Sequence, residues 1–426
     1  MKILSVQYLR GLAALLVVVA HNALLLPDGM AAHIPGALGV DIFFIISGFI
    51  MTFITAQSAE RPLPFLIKRF FRIWPVFFLV WLAAWTLVYN ERGFQQMGCV
   101  LYFCLQDYSS TGPVFGYSAL GPPWTLTYEV LFYTLFTLAM CISYRQRSLV
   151  CSLMFIVASV GFQLAYNGSI TLSSQASPDL VVNAWWQAWI KLISNTIVFE
   201  FITGMLLAEL VVSGNMPALR TRGRRIVWLA LAAAAGIALL TGPQPFGLHG
   251  GYWLAAIIMA CVILLSDGRE SAPQPVLNFL GNISYSLYLV HYPLRRVLLN
   301  QLPADASAGT KLLIFALSVS GSIALAALLF RYVERYAIRA GKKLADSCYS
   351  WFSVQKKLTE QLCQRAEYPS PSGVFPLITP GWQMRGFSIM LNSPVYSGLP
   401  AARLIGATTT LTPLSCMRRS SGSGVP

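Results

Sequence analysis

Five groups of polar residues interrupt otherwise apolar stretches of this chain, and their types and spacing suit acid–base and phosphate chemistry. Arg10 and His21 are eleven residues apart. On a helix that is about three turns, so they share a face with about 16 Å between them along the axis. Histidine is the commonest general base near neutral pH. Asp41 sits in Gly-Val-Asp-Ile-Phe-Phe, with Gly48 on the same helical face, where a second helix or a ligand can come close. The run Lys68-Arg69-Phe70-Phe71-Arg72-Ile73-Trp74-Pro75 sets Arg69 and Arg72 side by side. Two guanidinium forks there suit a phosphorylated ligand. Trp124 to Glu129 opens a further apolar stretch, with Tyr133 on the Glu129 face. Ser284, Tyr288 and His291 fall at i, i+4 and i+7, a polar stripe.

Each group also has a purely structural explanation. Arg10 can be a snorkelling anchor, His21 a helix-packing hydrogen bond and Asp41 a helix-end carboxylate. The basic run can be topogenic and headgroup-facing, and the stripe can serve packing alone. Functional weight therefore depends on the elements that position these residues.

Of the 426 residues, 56% are hydrophobic and 11% charged, against roughly 25% charged in soluble domains. Mean hydropathy is +0.62. Apolar runs of bilayer-crossing length recur, near 9–26, 37–56, 70–90, 124–143, 149–166, 190–212, 226–241, 251–266, 279–299 and 311–332. The expected fold class is all-α, a polytopic integral membrane protein of about ten transmembrane helices. The first run ends in Leu-Pro-Asp-Gly, without a small-residue cleavage site, and reads as a retained helix. The stretch 97–105 is apolar but too short to cross, so it reads as interfacial or re-entrant.

The net charge of +14 lies between the apolar runs and matches no nucleic-acid motif. Arg61, Lys68, Arg69 and Arg72 fall in one loop region, Arg145 and Arg147 in another, and Arg220, Arg222, Arg224 and Arg225 in a third. Arg335, Arg339, Lys342 and Lys343 follow the last run. The alternate loops are nearly bare: 91–123 holds only Arg92, and 27–36, 167–189 and 242–250 hold neither Lys nor Arg. This alternation puts both termini in the cytoplasm. Segment 267–270, with one Arg against two acids, and the pair Arg295 and Arg296, near the outer end of the ninth run, depart from it. The eight cysteines lie mostly in apolar stretches and read as buried thiols; Cys99 and Cys104 can pair if their loop is extracytoplasmic. Residues 345–426 hold no spanning run and read as a polar, flexible cytoplasmic tail after a membrane domain over 1–340.

Taken together, YLRGLAALLVVVAH, GVDIFFIISGFI, KRFFRIWP, WTLTYEVLFY and FLGNISYSLYLVHYP resemble the membrane acyltransferase-3 family of bacterial O-acyltransferases, in that family's order. The family's Arg–ten residues–His pattern falls on Arg10 and His21, its basic pair on Arg69 and Arg72, and its Trp–Glu segment on Trp124 and Glu129. Lys68 stands where many relatives have Arg, keeping charge but losing the bidentate fork. The tail carries no Gly-Asp-Ser signature of an appended hydrolase.

The resemblance implies O-acyl transfer, acetyl first, from acetyl-CoA or another acyl-CoA to a hydroxyl of a surface or lipid-linked carbohydrate at the bacterial inner membrane, with no metal. Arg69 and Arg72, with Arg10 and Lys68, would hold the donor phosphates. His21 would act as general base, oriented by Asp41 or Glu129. Trp124, Tyr133, Ser284, Tyr288 and His291 would bind substrate or stabilise the oxyanion. Of the loop aromatics, Tyr108, Phe115, Tyr117, Trp185, Trp186 and Trp189 can stack on sugar rings or sit in the interfacial belt. The rival reading is a proton-coupled transporter or flippase of a lipid-linked sugar, since intramembrane Asp, Glu and His suit that too. No internal repeat supports it: the surroundings of His21 and His291 differ.

Overall fold

A computed structural model describes residues 3–348, except 28, 59, 216–218, 267–273 and 304. Twelve α-helices and no β-strand are found among the described residues. They are α1 Leu4–His21, α2 Gly36–Gln57, α3 Pro62–Leu87, α4 Phe94–Val100, α5 Trp124–Ile142, α6 Arg147–Asn167, α7 Trp185–Ser194, α8 Phe199–Val212, α9 Thr221–Thr241, α10 Tyr252–Leu265, α11 Pro275–Asn300 and α12 Ala308–Leu329. Seven helical segments among these residues are long and apolar enough to cross a bilayer, and a bent pair makes an eighth. The other two expected spans are helical as well. At 14 residues α10 is short, and α11 carries the polar stripe that lowers its hydropathy. The all-α, polytopic membrane architecture expected from the sequence is the one found. Large apolar side chains such as Val157, Leu229 and Leu240 point outward from the bundle, a surface suited to hydrocarbon and not to water.

Several bounds differ from the hydropathy reading. Helix α3 starts at Pro62, whose fixed φ and missing N–H suit a first turn, so Lys68, Arg69 and Arg72 lie inside the helix and not at its mouth. The span expected over 190–212 is broken: Trp185–Ser194 and Thr196–Val212 meet at 63°. Asn195 makes the break. Its side chain accepts from the Ile197 N–H at 3.1 Å and donates to the Ser174 carbonyl at 2.6 Å. The Ser194 carbonyl freed there takes hydrogen bonds from Ser159 and Gln163 of α6, which supplies the partners a broken helix needs in an apolar surround. Past α12 the helix does not stop at 332. It passes through a π turn, Phe330–Glu334, and runs on to Cys348. Residues 345–348 of the expected tail belong to that helix, and the rest of the tail lies outside the described residues.

Cys99 and Cys104 form a disulfide beside α4, so the expectation of free thiols there is corrected. Such a bond suits an oxidising compartment. The stretch 97–105 does not cross: α4 is seven residues long and its flanking Tyr102 is exposed.

Two close helix crossings hold the bundle. At one, a methyl added to Gly11 would meet the backbone of Gly281, and one added to Gly281 would meet the Gln7 carbonyl, so α1 and α11 pack backbone to backbone. At the other, Gly48 faces the Phe201 carbonyl and Gly204 faces the Ile45 carbonyl, joining α2 to α8. Small residues at such crossings replace the hydrophobic driving force that lipid removes.

Candidate active site

Two cavities lie in series through the bundle. The first, of about 110 Å³, is lined by Arg10, Ser47, Arg69, Arg72, Glu129, Tyr133, Ser284, Tyr285 and Tyr288 among apolar side chains. It gathers residues from α1, α2, α3, α5 and α11. Arg10 donates to the Gly281 carbonyl at 2.6 Å and reaches Gln7. The α1–α11 crossing therefore fixes its position. Glu129 accepts from Ser47 at 3.2 Å and from the Tyr133 hydroxyl.

Arg72 is ion-paired with Glu334, which is fully buried and also accepts from Ser286 at 2.6 Å. The π turn carries Glu334 into the bundle, and such turns recur at functional sites. Lys68 pairs with Glu60 at 2.5 Å and does not line the cavity, so the four expected donor-binding cations are not alike. Arg10 and Arg69 make no ion pair among the described residues, while Arg72 is already partnered. Arg69 lies 5.6 Å from the Phe65 ring centre and its Nε has no hydrogen-bond partner.

The second cavity, of about 320 Å³, is lined by His21, Tyr89, Arg92, Gln106, Tyr117, Tyr292 and Arg296, with the backbone of 116–122. Between the two lies a hydroxyl layer. The Tyr288 hydroxyl donates to the Pro122 carbonyl at 2.6 Å and meets Thr125 at 2.8 Å. Tyr288 and Thr125 face the first cavity and Pro122 faces the second.

Among the described residues no carboxylate orients His21. Its Nδ1 lies 2.9 Å from the Val17 carbonyl and 3.3 Å from Nε2 of His291. The Nδ1 of His291 lies 3.3 Å from the Leu287 carbonyl. A carbonyl can only accept, so both rings are assigned the Nδ1–H tautomer. The one His21 Nδ1–H is then shared between the Val17 carbonyl at 2.9 Å and the bare Nε2 of His291 at 3.3 Å, and Nε2 of His21 keeps a free lone pair. The Tyr292 ring stands edge-on to His21 at 5.6 Å. This constellation can take a proton at His21 Nε2 and steady the resulting imidazolium from its other side.

The remaining expected residues fall as follows. Asp41 is fully buried, accepts from the Gly247 N–H at 3.3 Å and lies against Glu200, and it lines neither cavity. Glu129 stays in the first cavity, away from His21. Trp124 packs among Phe44, Tyr128 and Phe246. Ser284 bonds to its own helix at Gly281. Of the loop aromatics, only Tyr117 lines the histidine cavity, whereas Trp185 is exposed and Phe115 buried. Sequence reasoning missed Gln7, Ser47 and Glu334, and did not pair His291 with His21. It did register Arg295 and Arg296 as charges out of place, and Arg92 as the one basic residue of loop 91–123. Among the described residues no group of three or more His, Cys, Asp or Glu is placed to hold a metal ion.

Comparison with known proteins adds to this. A family described as an acyltransferase domain matches residues 3–331. The chain is 27% identical over 266 residues to the exopolysaccharide production protein ExoZ of Rhizobium meliloti, covering 60% of this chain and 75% of that one. It is 27% identical over 309 residues to the putative membrane-bound transacylase BcsY of Komagataeibacter xylinus, covering 68% and 72%. It is 23% identical over 359 residues to the peptidoglycan O-acetyltransferase OatA of Listeria monocytogenes, covering 78% of this chain and 55% of that longer one. No solved structure matches.

Proposed function

This chain belongs to the acyltransferase domain family, as a multi-pass membrane protein, and from that premise we propose that it moves a short acyl group, acetyl first, from acyl-CoA to a hydroxyl of a surface or lipid-linked carbohydrate. The observation that carries this reading is the serial pair of cavities, one rich in arginine and one holding a histidine base, separated by a single layer of hydroxyls. The relatives support the acceptor class: their names speak of exopolysaccharide production and of peptidoglycan O-acetylation.

The arginine cavity takes the donor. Arg10 and Arg69 hold its phosphates, as charge-assisted bonds from guanidinium forks suit phosphate. Arg72 is held by Glu334, which offsets its charge, so it serves as cavity wall more than as a free cation. The thioester arm extends past Tyr288 and Thr125 toward His21. There the acceptor hydroxyl loses its proton to His21 Nε2 as its oxygen attacks the thioester carbonyl. The C–S bond breaks, the ester forms, and the departing sulfur takes the proton back from His21. His291 is a positioning residue throughout, accepting from His21 Nδ1–H. The arginine cavity faces the cytoplasm, where acyl-CoA is available, and the histidine cavity faces outward. The loop-charge alternation supports that orientation, with both termini cytoplasmic in the inner membrane.

The test is purified protein in nanodiscs with labelled acetyl-CoA and an oligosaccharide acceptor. Wild type transfers label, and His21→Ala loses about 10²–10⁴-fold in rate, the usual worth of a general base. Equal transfer by His21→Ala would overturn the reading, and sugar movement without donor turnover would favour a transporter.

A further inference from the structure

The histidine cavity is more basic than its end of the molecule should be. The loops there are nearly bare of Lys and Arg, yet the cavity gathers Arg92 and Arg296 beside His21. The two guanidinium carbons stand 4.7 Å and 5.1 Å from the ring centre of the buried Tyr89. Arg92 donates to the Ala119 carbonyl at 2.6 Å, which fixes it against the cavity wall. The Nε of Arg296 is buried with no hydrogen-bond partner. A third guanidinium, Arg295, lies 5.5 Å from the ring of Tyr292, the ring that stands edge-on to His21.

None of the three arginines forms an ion pair among the described residues. Glu91, next to Arg92 in the chain, is exposed and makes no such pair. Half-buried cations without a counter-charge are costly to hold. The wall between them is also built with care. Phe115, Gly116 and Tyr117 all take positive φ, 43°, 73° and 63°, a conformation two of these side chains seldom adopt. That turn aims Tyr117 and the Gly116 backbone into the cavity, and strained backbone of this kind clusters at ligand clamps.

We propose that the acceptor is anionic: a saccharide bearing a carboxylate or phosphate group that Arg92 and Arg296 hold while its hydroxyl rests against His21 Nε2. The proposal rests on the acyl-transfer reading and narrows its acceptor class. It also explains why three arginines stand at the end of the molecule where the loop-charge pattern argues against them.

The test is binding without donor, so that it stands apart from catalysis. Full-length protein in zwitterionic nanodiscs is titrated with a neutral gluco-oligosaccharide, its uronate counterpart and a polyprenyl-phosphate-linked disaccharide. The expected result is at least a tenfold preference for one of the anionic ligands over the neutral one, weakening as salt rises. In Arg92→Gln/Arg296→Gln that preference disappears, while Arg296→Lys keeps part of it; gel filtration and thermal unfolding check that each variant is folded. The two anionic arms separate a sugar carboxylate from a carrier phosphate as the group held. Equal binding of neutral and charged saccharides overturns the proposal, as does a preference that survives the double variant. Displacement of the ligand by phosphatidylglycerol nanodiscs overturns it too, since the arginines would then be reading lipid headgroups. Charged-saccharide binding with no acyl transfer in the separate catalytic assay would sink the acyl-transfer reading and leave the anion site standing.

Discussion

The proposed chemistry turns on one contact between two imidazoles. His21 and His291 are 270 positions apart and meet at 3.3 Å, the His21 Nδ1–H being shared between His291 Nε2 and the Val17 carbonyl of its own helix. A hydrogen bond to a charged group is worth about 1.5–3 kcal/mol, which is roughly a 10–100-fold effect on rate. His291→Ala should therefore lower kcat by about that factor with acceptor KM little changed. His291→Gln, whose amide oxygen can accept from His21, should recover part of the loss. An unchanged kcat in His291→Ala, measured in the nanodisc assay, would remove His291 from the mechanism. At this scale the sequence was half legible. Arg10, His21, Arg69, Glu129 and the α11 stripe announce themselves because ionisable and hydroxylic groups are expensive in apolar helices. Their pairings do not, because a contact between α1 and α11 leaves no mark in either segment. That is why a carboxylate was expected beside His21, and why Lys68 and Arg72 were expected to be free. Glu334 was hidden for another reason: the π turn that carries it inward has no spacing signature.

At the scale of elements, the two backbone crossings matter most. Gly11 and Gly281 seat Arg10 on the Gly281 carbonyl. Gly48 and Gly204 bring α8 onto α2, the helix that supplies Ser47 to the arginine cavity. Gly204→Val adds volume where the Ile45 carbonyl already stands. Overpacking of this kind costs about 1–3 kcal/mol in soluble cores, so the variant should unfold at lower temperature and lose transfer with it. Gly236→Val on α9, where a side chain meets open space, is the control and should unfold as wild type does. If Gly204→Val matched wild type in a thermal scan, the crossing would not be the constraint described. Hydropathy found the helices but misjudged their ends. The break at Asn195 was missed because a span's composition is the same whether it is straight or bent at 63°. The start of α3 was missed because the basic run looks like a boundary, although Pro62 opens the helix two turns earlier.

In the whole molecule, the proposed mechanism joins two cavities to two sides of a membrane. Composition made the bilayer legible, and the alternation of loop charge suggested the sides. Neither could show that Arg10 and His21, one face of one helix, open into different cavities. The most direct measurement uses proteoliposomes with an oligosaccharide acceptor sealed inside and labelled acetyl-CoA supplied only outside. Wild type should label the enclosed acceptor, through those molecules whose arginine cavity faces out, and His21→Ala should not. Label that appears only when donor and acceptor share a compartment, or that His21→Ala delivers as fast as wild type, would contradict the proposed mechanism.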